Sequence, residues 1–237
     1  MSIVIVTGTG TGVGKTVVTA ALTALAASRG SSLAVVKPAQ TGVGPGEPGD
    51  LSEVRRLAAL PSAAAVHEFV RYPDPLAPAT AARHAGRPPL DCADAARRIT
   101  ALARHFRLVV VEGAGGLLVR YDDGGTTLAD LARSLQAPVL VVTRAGLGTL
   151  NDTALTLEAL ASRGLDLAGL VIGSWPPAPG LAERSNVADL QTLAARPLSG
   201  VLPEGAGRLA PPDFLAMASA SLAPAYGGRF DPARFLP

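Results

Sequence analysis

The 237-residue chain is poor in aromatic residues, cysteine and net charge. Aromatic side chains make up 4% of the sequence, so no stacking platform for nucleic acid is evident. Cys92 is the single cysteine, which excludes a disulfide within the chain and suits a reducing compartment such as the cytoplasm. The net charge is only +2, which gives little reason to expect nucleic acid as a partner.

Long apolar runs and targeting signals are lacking as well. No stretch approaches the roughly 18 uninterrupted apolar residues of a membrane-spanning helix, so we expect no membrane partner. The first residues, MSIVIVTGTGTG, have neither a basic head nor a cleavage site, and they predict a first strand rather than a signal peptide. The proportions of 48% hydrophobic and 17% charged residues are typical of a globular protein.

Lysine is nearly absent, and the two lysines that remain are the strongest functional signal in the sequence. Among 21 Lys and Arg residues, only Lys15 and Lys37 are lysines. Both follow short apolar runs near the N-terminus, and Lys15 lies in a glycine-rich loop. A general preference for arginine does not explain these two positions. We therefore expect both ammonium groups to contact the same polyanion.

Short runs of Val, Ile and Leu alternate with helical patterns along the chain. Such alternation is typical of a parallel sheet with helices on both faces, so the sequence predicts one doubly wound, mostly parallel α/β domain over residues 1–237. The stretch after Pro211 predicts one more helix and a loose tail. The predicted strands span residues 2–6, 33–36, 108–112, 138–143, 167–173 and 198–202. The predicted helices span residues 15–28, 50–60, 77–85, 91–105, 150–163 and 181–195, with an extended linker at 72–78.

The segment VTGTGTGVGKTVV, residues 6–18, joins the first predicted strand to the first helix. Its ending, Gly14-Lys15-Thr16, matches a P-loop, whose glycines let backbone N–H groups face phosphates. Lys15 would then bridge the β- and γ-phosphates of a nucleoside triphosphate, and Thr16 would bind Mg²⁺. Five residues separate Gly8 from Gly14, where the common pattern has four. The alternative is a Rossmann-like dinucleotide site, which needs no Gly-Lys-Thr at a helix start.

Acidic residues at the expected strand ends predict a metal site. Glu112 follows an apolar strand directly, where a carboxylate is costly unless it is paired or binds a cation. Asp50 opens a predicted helix, although it could simply cap that helix. Thr16, Asp50 and Glu112 with phosphate oxygens would form an oxygen ligand set for Mg²⁺. Lys37 ends the second strand, expected beside the first, and would reach the γ-phosphate; the alternative is a lysine whose ammonium reaches solvent.

With these motifs assembled, the chain resembles the dethiobiotin synthetases over nearly its whole length. The resemblance rests on VTGTGTGVGKT, VVKPAQTG, DLSEV, PLAPATAARHAG, VEGAGGLLV, LGTLNDTALTLEAL and VLPEG. It implies a ligase of biotin biosynthesis, which uses ATP or another nucleoside triphosphate, Mg²⁺ and CO2 to close the ureido ring of dethiobiotin on 7,8-diaminononanoate. It also implies a homodimer whose substrate site lies near the subunit boundary.

The resemblance implies roles for individual residues. Lys37 would be the catalytic cation for carbamate and γ-phosphate, Lys15 would hold phosphates, and the helix N-terminus in residues 144–153 would receive the substrate carboxylate. The expected substrate-binding residues are Thr41, Gly116, Leu147, Gly148 and Asn151. The expected nucleotide-binding residues are Thr11, Gly12, Val13, Gly14, Lys15, Thr16, Val17, Asp50, Glu112, Gly113, Ala114, Gly115, Gly173, Ser174, Pro203, Glu204 and Gly205.

Two departures from family patterns, at Gly173-Ser174 and at Asp152, bear on specificity. Many dethiobiotin synthetases have an adenine-reading asparagine where this chain has Gly173-Ser174, so we expect a relaxed or shifted base preference. Trp175, the next residue, could stack on the base or anchor the fold. Asp152 stands where related sequences often have histidine.

Two other functions on the same fold compete with this interpretation. A switch ATPase would carry an extra lysine where this chain has Gly10. An amide-forming enzyme of cobalamin synthesis would need a glutaminase domain with a nucleophilic cysteine. The chain has neither the length nor a suitable cysteine for the second function.

Overall fold

The computed structural model describes residues 2–235 and forms a single parallel sheet of seven strands with helices on both faces. The strands are β1 (Ser2–Gly8), β2 (Leu33–Thr41), β3 (Ala65–Tyr72), β4 (Leu108–Gly116), β5 (Val139–Thr143), β6 (Leu167–Trp175) and β7 (Gly200–Pro203). The helices are α1 (Lys15–Ser28), α2 (Asp50–Leu57), α3 (Pro78–His84), α4 (Cys92–His105), α5 (Leu128–Ser134), α6 (Thr149–Ser162), α7 (Leu181–Ala194) and α8 (Pro211–Ser221). The predicted doubly wound fold is confirmed.

Two hydrophobic layers, one on each face of the sheet, explain why the strands are apolar along their whole length. Along β5, Val139 and Val141 face the layer formed with α4 to α7, whereas Leu140 and Val142 face the layer formed with α1, α2 and α8. All four side chains are fully buried. Burial of each such side chain contributes about 1.5–3 kcal/mol, so the strands need no polar face. No helix in the described range 2–235 is long and apolar enough to cross a membrane.

The strand order corrects one prediction about Lys37. The sheet runs β3-β2-β4-β1-β5-β6-β7, so β4 lies between β1 and β2, which are not neighbours as predicted. Lys37 also does not end its strand, because β2 continues to Thr41 and pairs with β3 along that extension. Parallel strands are joined by long crossovers, and a sequence does not reveal which strand a crossover skips.

Two elements, β3 and α5, were not predicted. β3 is an edge strand and carries His67, Glu68 and Arg71, so it lacks the continuous apolar run of the central strands. α5 has only seven residues and is fixed by a capping box between Thr127 and Asp130. β4 is longer than predicted, because the glycine-rich segment after Glu112 continues the strand to Gly116.

The C-terminal stretch forms the predicted helix, α8, but its described remainder is packed rather than loose. Phe230 is buried, and its N–H group donates to the carbonyl of Leu222. The ring of Phe235 lies 4.9 Å from the ring of Trp175 and 5.7 Å from that of Phe230, measured between centroids. These aromatic contacts hold the segment against the end of β6.

Candidate active site

The P-loop lies between the end of β1 and the start of α1, as the sequence predicted. Gly12 and Gly14 have φ angles of 72° and 98°, a region that glycine adopts without strain. A Cβ atom on Gly14 would stand 2.6 Å from the carbonyl oxygen of Gly173, and one on Gly173 would stand 2.1 Å from that of Val13. Glycine is therefore required on both sides, and the P-loop backbone rests directly on the end of β6.

Lys37 is the centre of a buried charge cluster. Its Nζ donates to Glu112 Oε1 at 2.8 Å and to the carbonyl of Gly113 at 3.1 Å, and it lies 2.5 Å from Asp50 Oδ2. Lys37 is 3% exposed and Glu112 is 0% exposed. The three N–H bonds of the ammonium thus all have acceptors, which is what a buried lysine requires.

The observed strand order is what brings the two lysines to one site. β4 pairs with β2 through Val36 and Val111, and with β1 through Val6 and Glu112. Glu112 consequently stands between the strand that carries Lys37 and the strand that leads into the P-loop. Thr16, the second residue of α1, donates its hydroxyl to Glu112 Oε1 at 2.8 Å, so this oxygen links the P-loop helix to Lys37.

Burial and charge shift the pKa values of the two lysines in opposite directions. Burial by itself lowers the pKa of Lys37, but the charges and hydrogen bonds of Glu112 and Asp50 outweigh it and raise the pKa above its usual value. Burial and the positive charge of Lys37 lower the pKa of Lys15 to about 8, against the opposing charges of Glu112 and Asp50. Lys15 Nζ donates to the carbonyl of Gly10 at 2.8 Å.

Asp50 is placed for the cluster rather than for capping its helix. The N-cap of α2 is Gly49, and no side chain caps this helix. The N–H of Asp50 donates to Gln40 Oε1 at 2.9 Å, while Gln40 Nε2 donates to the carbonyl of Thr41 at 3.1 Å. Gln40 therefore fixes the start of α2 so that the Asp50 carboxylate points to Lys37.

The oxygen ligands predicted for Mg²⁺ lie together, and one of them lacks a partner. Glu112 Oε2 is buried and accepts no hydrogen bond. A buried carboxylate oxygen without a partner is costly, and a divalent cation would satisfy it. Within the described residues, no group of three or more His, Cys, Asp or Glu side chains is arranged to hold a metal ion, so Mg²⁺ here would also need the Thr16 hydroxyl, phosphate oxygens and water. The donor set fits Mg²⁺ carried by a nucleotide.

A cavity of about 580 Å³ opens over the P-loop and the charge cluster. The predicted site residues that line it are Thr11, Gly12, Gly14, Lys15, Thr16, Val17, Lys37, Thr41, Asp50, Glu112, Ala114 and Gly115. Sequence reasoning missed Gln40, which is a buried polar residue in the same strand as Lys37, three positions further on. It also treated residues 75–78 as a linker, whereas Pro75, Leu76, Ala77 and Pro78 form one wall.

The remaining predicted residues are not part of the lining of this cavity. Gly116 lines an adjacent surface cavity with Leu118 and Leu155. Val13 is buried in the core, and Gly113 offers its carbonyl to Lys37. Ser174 lies at the end of β6 and Pro203 at the end of β7, and both are exposed, as is Glu204, which Gly205 follows. Leu147, Gly148 and Asn151 are exposed around the start of α6.

The side chain of Trp175 packs on Phe235, which favours the anchoring role over base stacking.

Solved structures share this fold. The cell division ATPase MinD of Pyrococcus furiosus superposes with a TM-score of 0.52 at 21% identity, covering 86% of this chain and 84% of that one. At this identity the likeness establishes the fold and nothing finer. A family model described as "AAA domain" matches residues 3–207. Fold and P-loop together define a P-loop nucleoside triphosphatase.

Curated relatives narrow the assignment within this class. A protein of Frankia casuarinae named ATP-dependent dethiobiotin synthetase BioD is 68% identical over 97% of this chain and 95% of its own length. A protein of the same name from Streptomyces coelicolor is 58% identical over 98% of this chain and 96% of its own length. The chain belongs to the ATP-dependent dethiobiotin synthetase family, which confirms the resemblance seen in the sequence.

Proposed function

We propose that the chain uses ATP to close the ureido ring of dethiobiotin on 7,8-diaminononanoate and CO2, as a step of biotin biosynthesis. The observation that carries this proposal is the cluster around Lys37, which joins a fully buried cation to Glu112, and through Glu112 to Thr16 of the P-loop. Family membership supports the reaction, and the cluster supports a site where a substrate oxygen meets the γ-phosphate.

The reaction divides into three balanced steps. One substrate amine adds to CO2 and releases a proton, which gives a carbamate. A carbamate oxygen then attacks the γ-phosphorus, and the bond between the γ-phosphorus and the β-phosphate oxygen breaks. ADP leaves, and the substrate now carries a mixed carbamic–phosphoric anhydride. The second amine attacks the carbamoyl carbon, phosphate leaves, and a second proton is lost as the ring closes. The substrate supplies every nucleophile, so the protein contributes position and charge.

Lys37 and Lys15 stabilise the charge that moves during these steps. The raised pKa of Lys37 keeps it cationic at neutral pH, and its ammonium lines the cavity where carbamate and γ-phosphate would meet. The N–H groups of the P-loop and Lys15 would hold the phosphates, and Thr41 would contact the diamine from the end of β2. Removal of one such preorganised donor typically costs about 10²–10³ in kcat.

Mg²⁺ would be held by Glu112, Asp50 and Thr16 together with nucleotide oxygens. When bound, it would neutralise charge on the phosphate oxygens. Glu112 Oε2, which accepts no hydrogen bond, would be satisfied by binding the cation. Asp50 Oδ2 and Glu112 Oε1 would still contact Lys37, so the cation and the lysine would share the two carboxylates.

A second copy of the chain would complete the substrate site. Leu118, Leu147 and Leu155 are 45%, 95% and 59% exposed, and two of them, Leu118 and Leu155, line one cavity beside the P-loop. Burying this surface in a homodimer would remove the exposed apolar area. It would also bring Leu147, Gly148 and Asn151, at the N-terminus of α6, to the neighbouring site, where they would receive the substrate carboxylate.

The base site has little that could read adenine. Gly173 cannot carry a side chain because the P-loop backbone occupies that space, and Ser174, Pro203 and Glu204 are exposed. Without an amide that both donates and accepts, discrimination between bases should be weak, so nucleoside triphosphates other than ATP would serve. We place the reaction in the cytoplasm, in keeping with a single unpaired cysteine.

The proposed function is tested by substrate dependence. Phosphate release should require diaminononanoate and bicarbonate together, and mass spectrometry should show dethiobiotin formed in equal amount. Phosphate release that needs neither compound, or that responds instead to lipid or DNA, would favour the switch-ATPase alternative and overturn the proposal.

A further inference from the structure

The loop between β5 and α6, residues 144–148, has its carbonyl groups bound on the inside of the protein. Asn186 on α7 donates through Nδ2 to the carbonyl of Ala145 at 2.8 Å and to that of Gly146 at 3.1 Å. Thr149 donates through its hydroxyl to the carbonyl of Arg144 at 2.8 Å. Three consecutive carbonyls are thus held by two side chains, both of them buried.

The Thr149 hydroxyl belongs to a chain of hydroxyls whose direction follows from counting protons. Thr143 Oγ1 lies 2.7 Å from Thr149 Oγ1 and 2.8 Å from Thr153 Oγ1. A hydroxyl has one proton, and Thr149 gives its proton to Arg144, so Thr149 accepts from Thr143. Thr143 has then given its own proton and must accept from Thr153. The three hydroxyls are fully buried or nearly so, and they run in one sense from α6 to the loop carbonyl.

On the outside of the loop, Leu147 and Gly148 are exposed. Within the described chain, the N–H groups of Leu147 and Gly148 find no hydrogen-bond partner. Gly148 has a φ angle of 92°, which a residue with a side chain adopts only with strain. The loop geometry therefore depends on buried polar contacts made by residues that do not themselves face the proposed ligand.

We propose that Asn186 and the Thr153–Thr143–Thr149 hydroxyl chain are positioning residues for the substrate carboxylate: they fix the loop 144–148 so that its N–H groups meet that anion. This inference rests on the proposed function, in which the start of α6 receives the carboxylate. The hydroxyl chain also contacts the P-loop, because Thr9 Oγ1 lies 3.5 Å from Thr143 Oγ1. The loop itself contacts the P-loop as well, because Arg144 Nη2 donates to the carbonyl of Thr11 at 3.1 Å.

The test compares Asn186→Leu with Gln191→Leu, a matched control on the same helix. Gln191 also bonds the backbone through its side-chain amide, because its Oε1 accepts from the N–H of Leu198. Leu198 is far in sequence from the loop 144–148. Loss of both donors in Asn186→Leu should raise KM for the diamine about ten-fold, with KM for ATP changed by less than about two-fold. Gln191→Leu should leave both KM values near those of the wild type.

A substrate analogue without the carboxylate, 7,8-diaminononane, separates positioning from general damage. With this analogue, Asn186→Leu and the wild type should have the same KM, because the loop then has no anion to bind. A ten-fold effect that persists with the analogue would overturn the inference, as would equal diaminononanoate KM values in the Asn186 and Gln191 variants.

A second variant covers the case in which Asn186→Leu does not fold. Thr153→Val keeps the side-chain shape and removes the first donor of the hydroxyl chain, and Thr23→Val removes a buried hydroxyl that bonds Thr19 within α1. Thr153→Val should raise KM for the diamine several-fold and Thr23→Val should not; equal values would contradict the inference. If no variant and no wild-type protein forms dethiobiotin, the proposed function itself has failed.

Discussion

Replacing Lys37 by methionine should damage both stability and turnover, and a second substitution should separate the two effects. The variant removes the partner of a carboxylate, Glu112, that is 0% exposed. Removing one member of a buried ion pair costs about 3–5 kcal/mol, because the other charge stays buried and unpaired. We therefore expect Lys37→Met to lower the free energy of unfolding in urea by that amount at pH 8.

The double variant Lys37→Met/Glu112→Leu removes both charges and should recover most of the lost stability. Turnover should stay at least about 100-fold below that of the wild type in both variants, because the cation at the transferred phosphoryl group is still missing. Arg56→Met is the control: Arg56 forms an exposed ion pair with Glu53, which should contribute at most about 1 kcal/mol. A stable Lys37→Met protein, or a double variant with wild-type turnover, would refute the reasoning.

Three further predictions follow from the site. Nucleotide binding at pH 8 should be accompanied by the uptake of about half a proton, because the phosphates raise the lowered pKa of Lys15 back above 8. Calorimetry in buffers of different ionisation enthalpy should detect this uptake. Binding without proton uptake would contradict the prediction. Values of kcat/KM for ATP, GTP, CTP and UTP should agree within about ten-fold, and a strong ATP preference would count against the exposed base site. Leu155→Asp should convert a dimer to monomers in analytical ultracentrifugation and lower turnover. A variant that remains a stable dimer would show that the surface around Leu118 and Leu155 is not the dimer interface.

The strands that are buried on both faces could be predicted from the sequence. The edge strand and the order of the strands could not, because they depend on contacts between distant parts of the sequence. The central strands lie between two helical layers, so they are continuous apolar runs. Edge strand β3 is half-exposed and carries charges, which hides it from the same pattern. The insertion of β4 between β1 and β2 depends on crossovers whose destinations no local signal encodes.

The candidate site shows the same division. The scarcity of lysine pointed to Lys15 and Lys37, and the structure places both in one cavity. The pairing of Lys37 with Asp50 and Glu112 was not predictable, because it depends on the strand order. Asn186 gave no sequence signal at all: a polar residue on a helix is ordinary, and only the fold reveals that it bonds two carbonyls of a distant loop.

The central claim, that the substrate supplies the nucleophile while the protein supplies position and charge, is tested by the fate of the oxygen atoms of CO2. We would supply ¹⁸O-labelled bicarbonate and analyse both products by mass spectrometry before the label exchanges with water. If a carbamate oxygen attacks the γ-phosphorus, the released phosphate carries one ¹⁸O and the ureido carbonyl of dethiobiotin carries the other. Unlabelled phosphate would mean that another acceptor, such as the carboxylate of Glu112 or Asp50, takes the phosphoryl group, and it would contradict the account.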